Sequence, residues 1–125
     1  MRFARYTFLI AGIYGLLVML PHYFAVDTIG RDHPPAITHL EFFYGFVGLA
    51  VVFQIVFLII ATDPVKYRLM MIPSILEKFS FGIPAAILHY YGMIPTPLFI
   101  GGMIDLFLSG LFLISFIKVL RAKAS

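Results

Sequence analysis

Glu77 and Lys78 stand side by side inside the apolar run Ser74-Ile75-Leu76-Glu77-Lys78-Phe79-Ser80-Phe81-Gly82-Ile83-Pro84, and Asp105 interrupts another apolar run between Ile104 and Leu106. Two carboxyl groups and an ammonium withdrawn from water can exchange a proton, hold the polar group of a ligand, or pair with one another. Glu77 and Asp105 could also act together as acid and base. A charge at mid-membrane depth costs at least about 2.5 to 3.5 kcal/mol on insertion scales, so pairing, protonation or water must offset it. Lys78 with Asp105 or with Glu77 is the leading pair. Adjacent helical residues point about 100° apart, so Glu77 and Lys78 are not expected to neutralise each other along one helix face, and each should look to another helix.

Other polar side chains sit nearer the ends of the apolar runs. His22, Glu41 and His89 are the further candidates for a ligand or proton site; the bland alternative for each histidine, His39 included, is a boundary residue with one end apolar and one wet. Gln54 suits a structural hydrogen bond between helices. No metal site is expected: there is no His-x-x-His or His-x-x-x-His pair for a metal or haem, and no cysteine at all. The chain has no Gly-rich nucleotide loop, no His-Glu-x-x-His motif, no Gly-x-Ser-x-Gly elbow and no basic aromatic patch, so nucleic acid is not an expected partner.

The elements that must position these residues follow from composition. Hydrophobic residues make up 62% of the 125 and charged residues 12%, about half the charge of a soluble domain. The fold class expected is an all-α integral membrane four-helix bundle, a single transmembrane domain over 1–125. Its spans are read at 6–22, 40–61, 64–91 and 97–119, each able to cross about 30 Å of hydrocarbon at about 1.5 Å per residue, provided the first is only slightly tilted. Residues 23–39, rich in Asp, Gly and Pro, read as a loop. At Thr62-Asp63-Pro64, Asp63 is the expected N-cap and Pro64 the first helical residue of the third span. Pro73 and Pro84 are both expected to bend that span. Arg2 and Arg5 ahead of an apolar stretch resemble a signal peptide, but Pro21-His22-Tyr23-Phe24 offers no small-residue cleavage site, so a retained helix is expected.

Basic residues orient the spans. Arg2, Arg5, Lys66, Arg68, Lys118, Arg121 and Lys123 fall on one side and only Arg31 on the other, which places both termini in the cytoplasm of a cell whose inner (plasma) membrane the chain crosses four times. Small-residue stripes suggest the packed faces: Thr7, Ala11, Gly15, Val18 and His22 in the first span, Glu41, Gly45, Gly48 and Val52 in the second, Lys78, Gly82, Ala85 and His89 in the third, Gly101, Asp105 and Ser109 in the fourth. Counted inward from the outer boundary, His22, Glu41 and His89 lie near the surface, Asp105 roughly 13 Å down and Glu77 with Lys78 roughly 20 Å down. This depth order predicts a polar track with a floor.

The layout of four short spans, with Glu41-Phe42-Phe43-Tyr44-Gly45 opening the second, Asp63-Pro64-Val65-Lys66-Tyr67-Arg68 leading into the third and Glu77 and Asp105 inside, resembles the small DoxX-like membrane proteins of bacteria over nearly the whole chain. It is also loosely similar to the four-helix sterol-isomerase-like fold, which would imply an acid pair acting on a carbocation; any cage built on tryptophan is missing, for the chain has none. The function expected is that of a small polytopic membrane protein with an outward-facing polar cavity for a small amphiphilic or quinone-like ligand, or of a subunit in a homo-oligomer or larger membrane complex. The alternative is an integral-membrane enzyme, isomerase- or oxidoreductase-like, using the paired carboxyl groups.

Overall fold

A computed structural model describes residues 2–124. Among them there is no strand. The elements are α1 (Arg2–Met19), a 3-10 turn (Leu20–Phe24), α2 (Val26–Asp32), α3 (Leu40–Thr62), a second 3-10 turn (Arg68–Met70), α4 (Met71–Tyr90) and α5 (Thr96–Ala124). Four stretches have the length and apolar composition of membrane spans: Arg2–Phe24, Leu40–Thr62, Arg68–Tyr90 and Thr96–Ala122. No more than 28% of any of them is buried within the chain, so most of each span turns apolar side chains such as Leu17, Leu49 and Phe107 outward.

The boundaries correct the sequence reading in three places. Residues 23–39 are not all loop, because α2 occupies Val26–Asp32. The first span starts at Arg2 and runs on through the 3-10 turn, where Pro21 needs no donor. The third does not start at 64. Asp63 does cap, its Oδ1 accepting the Lys66 N–H at 3.1 Å, and its carbonyl accepts the Tyr67 N–H at 3.0 Å. That closes one isolated turn, which the Arg68 guanidinium ties down by donating to the Val65 carbonyl at 2.7 Å. The reversal from α3 to α4 thus uses up 63–67, and α4 begins only at Met71. Pro73 consequently falls in the first turn of α4, where a missing N–H removes no intrahelical bond, and Pro84 alone lies inside the helix.

Three antiparallel seams set the packing. Between α1 and α5, Phe3 meets Lys118 and Phe8 stacks on Phe112 at 4.2 Å. Between α1 and α3, Phe8 meets the edge of Phe57 at 6.0 Å, and Gly12 and Gly15 lie against Leu58 and Gln54. Between α4 and α5, Gly82 faces Gly102 and Leu106, Gly102 faces Ala85, and His89 stacks on Phe99 at 4.0 Å. The helices therefore run in the order α3, α1, α5, α4 around the bundle, and of the neighbouring pairs α3 and α4 meet least. Their apolar core, Phe8, Phe57, Phe112, Ile60, Met71 and Val119 among others, sits in the half that holds both ends of the chain.

The packed faces agree with the small-residue stripes in α4 and partly in α1, but not in α3. There the buried face is Val47, Ala50, Gln54, Phe57 and Ile60. Glu41 and Gly45 lie on the exposed side, where a side chain at Gly45 would meet nothing. In α5 it is Gly102, one residue on from the expected Gly101, that lets α4 approach.

Candidate functional site

Lys78 is the most buried charged residue among the described residues, 3% exposed. It reaches the α4–α5 seam because Gly82 and Ala85, one and two turns along the same face, bring α5 close. The ammonium lies 3.4 Å from Asp105 Oδ1 and 3.7 Å from Glu77 Oε2, and 5.1 Å from the centre of the Phe57 ring. Phe57 thus covers the cation from the core side with the negative face of its π system. Three helices contribute to one cluster: α4 the ammonium and one carboxyl, α5 the other carboxyl and α3 the ring.

The expected pairing of Lys78 with Asp105 is present. Glu77, however, does not look to another helix: the four-carbon stem of Lys78 lets its head swing back to the neighbouring carboxyl, a freedom that backbone angles alone do not convey. The two carboxyl groups differ in what holds them. Asp105 accepts a hydrogen bond from Lys78, whereas Glu77 Oε2, fully screened from solvent, has no hydrogen-bond partner among the described residues. Ser80, next on the Glu77 side of α4, does not supply one, because its hydroxyl donates to the Glu77 backbone carbonyl at 2.6 Å.

Glu77 also faces outward. It lines a groove of ≈ 430 Å³ between α3 and α4, walled by Phe46, Leu49, Ala50, Phe53, Leu76 and Phe81. The walls are apolar, and Phe46, Leu49 and Leu76 among them are exposed. Glu77 is the one ionisable group among the lining residues.

No protein-family model matches this chain, and neither a curated protein nor a solved structure matches it. Its chemistry rests on the cluster itself. One ammonium against two carboxyls leaves one acid group in excess, and in a low-dielectric setting that excess invites a proton or a donor from a bound molecule.

The remaining candidates lie elsewhere. His22 Nδ1 is 2.9 Å from the Val18 carbonyl, Glu41 pairs with His39 at 3.4 Å at an exposed helix start, and His89 stacks on Phe99. Among the described residues no hydrogen bond or ion pair links them to Glu77, Lys78 or Asp105. No group of three His, Asp or Glu suited to a metal occurs among the described residues.

One participant escaped the sequence reading. Phe57 lies one turn beyond Gln54 on the buried face of α3, but nothing distinguishes a phenylalanine under a cation from the other thirteen phenylalanines. Gln54, 2% exposed, gives its amide N–H to the Ala50 carbonyl at 2.7 Å and presses its Oε1, without a donor, on the bare backbone of Gly15. The Gly15 stripe pointed to that contact; Gln54 itself was expected to bond a neighbouring helix, and its visible bond is within its own.

Proposed function

We propose that this chain is a DoxX-like inner-membrane protein, one four-span transmembrane domain with both termini in the cytoplasm, that takes a small amphiphilic or quinone-like molecule from the bilayer into the groove between α3 and α4. The observation that carries the reading is the position of Glu77, which belongs at once to the groove and to the buried Lys78–Asp105 pair. A ligand's apolar body fits walls of phenylalanine, leucine and alanine, and its hydroxyl or carbonyl meets the only titratable group there. Protonated, Glu77 donates to a carbonyl; ionised, it accepts from a hydroxyl or a cationic head. The seven-to-one excess of basic residues at one set of span ends supports the orientation. An acid–base enzyme has less support, since Lys78 engages Asp105 and leaves one carboxyl available instead of two.

Native mass spectrometry of the purified chain with its retained small molecules tests the reading. Wild type is expected to carry a reproducible non-protein mass that is lost in both Glu77→Gln and Ala50→Phe, the second filling the groove without touching a charge. A wild-type chain that retains no such mass, or one that Ala50→Phe leaves in place, would overturn it. Reporters fused after the last residue and inserted at Gly30 should fall on opposite sides of the membrane.

A further inference from the structure

A second groove, of ≈ 400 Å³, lies between α1 and α5 at the end of the molecule that holds both chain ends, lined by Arg2, Phe3, Tyr6, Thr7, Ile10, Leu108 and Leu111. On α1, Arg2, Tyr6 and Ile10 fall at i, i+4 and i+8, so the charge stands at the mouth and the apolar wall runs about 12 Å inward. On α5, Lys118 lies seven residues beyond Leu111 on the same face, and its ammonium sits 4.7 Å from the centre of the Phe3 ring. The α1–α5 register therefore brings a lysine from one helix beside the arginine-bearing turn of the other.

Charge complementarity names the occupant. No carboxyl group lines the groove, and neither Arg2 nor Lys118 forms an ion pair among the described residues. The described chain at this end, residues 2–7, 62–68 and 115–124, has Asp63 as its single acid, and Asp63 is already occupied with the Lys66 N–H. Two cations at the mouth of an apolar trough about as long as half an acyl chain suit an anionic headgroup with its tail laid inward. Arg2 can grip a phosphate with two parallel N–H groups, and Lys118, propped on Phe3, supplies a point charge beside it.

We infer that the groove between α1 and α5 is a binding site for one anionic phospholipid, its phosphate held by Arg2 and Lys118 and one acyl chain lying along Tyr6, Thr7, Ile10 and Leu108. The site rests on the membrane reading and is independent of Glu77 and its groove. Bound in this way, the lipid ties the first span to the last.

The test uses the full chain in a neutral maltoside detergent, titrated with dioleoyl-phosphatidylglycerol or dioleoyl-phosphatidylcholine and followed by native mass spectrometry. Wild type should prefer the anionic lipid. The variant Arg2→Gln/Lys118→Gln should lose about 25-fold of that preference, from two basic side chains at about fivefold each. Arg5→Gln/Lys66→Gln removes the same charge from the same end outside the groove and should change the preference less than about threefold. Thr7→Phe fills the trough at constant charge and should lower occupancy, while Arg2→Lys/Lys118→Arg should keep the preference. No preference in wild type, equal losses in the two charge-removing doubles, or full occupancy in Thr7→Phe would each overturn the site. If the Gln double fails to fold, Thr7→Phe and the charge-keeping swap still decide. The membrane reading fails separately, if wild type stays in the aqueous phase on detergent phase separation.

Discussion

α4 has two neighbours in space and treats them differently. Toward α5 it presents Lys78, Gly82 and Ala85, and the two helices close on each other along their length; toward α3 it presents Leu76, Glu77, Ser80 and Phe81, and a groove stays open. Both neighbours are joined to α4 by short connections, so chain connectivity does not decide which seam closes. Side-chain size does. Where apolar surface is equally at home in lipid, helices associate by backbone approach, and that needs residues without bulk. On the closed seam Gly102 lies so near Ala85 that an added Cβ would come within 2.5 Å of the alanine's own. On the open side Phe46 and Phe81 hold the helices apart, their ring centres 6.0 Å from each other. The closed seam hides the ammonium and the open one gives its carboxyl partner an outlet.

The sharpest way to break this comparison is to remove the charge that both regions share. Lys78→Met strands Asp105 and Glu77 without a counter-ion at depth and should cost about 3 to 5 kcal/mol, the range for a buried pair losing one member. The triple variant Lys78→Met/Glu77→Gln/Asp105→Asn should regain most of that loss, since no charge is then left unpaired. Reversible unfolding in mixed micelles reads both. Losses that simply add across the three positions would mean that the groups do not act as one cluster, and that the closed seam is held by glycine alone.

Next in size is the seam's steric term. Gly102→Ala introduces a Cβ against Ala85 and should destabilise by about 1 to 3 kcal/mol, the usual cost of overpacking. The same measurement on Gly15→Ala examines the α1–α3 seam, where the new Cβ collides with the Gln54 amide. We expect about 1 to 2 kcal/mol there, because a flexible side chain can swing aside more cheaply than a backbone can move. Its partner variant, Gln54→Ala, should make Gly15→Ala nearly neutral. If Gly15→Ala costs as much with Gln54 absent, the crowding comes from the helix backbones and Gln54 is a bystander.

What could be read beforehand divides along the same line. Four spans, and the Lys78, Gly82, Ala85 stripe that carries the charge toward Asp105, were legible because a charge in an apolar run has few permitted directions and small residues at helical spacing mark an approach. The packed face of α3 was not. Gly45 and Gly48 mark one face and Ala50 with Gln54 another, and since lipid and protein interior are both apolar, hydropathy cannot tell which turns inward. The pairing of Lys78 with either Asp105 or Glu77 was legible; that it reaches both at once was not, because it depends on a flexible stem. The groove was missed because it is the space that large residues on two different helices leave between them, which no single stretch of sequence encodes.

The smallest expected effect is the most discriminating. Gly101 and Gly102 are consecutive residues of α5, and the stripe read from sequence ran through Gly101 while the seam closes on Gly102. A Cβ at Gly101 would meet no atom within 4 Å. Both Gly→Ala changes gain the same helix propensity, at most about 1 kcal/mol relative to glycine, and less where lipid already favours helix. The difference between the two variants therefore isolates the contact with Ala85 from every effect of helix formation. Gly101→Ala should leave stability unchanged or raise it by up to about 1 kcal/mol, while Gly102→Ala lowers it. Consecutive residues point about 100° apart, so the reverse ranking would mean that α5 is turned by roughly that angle from the packing described here. Asp105, a turn further along, would then swing away from Lys78, and the closed seam would lose the feature that sets it apart from the open one.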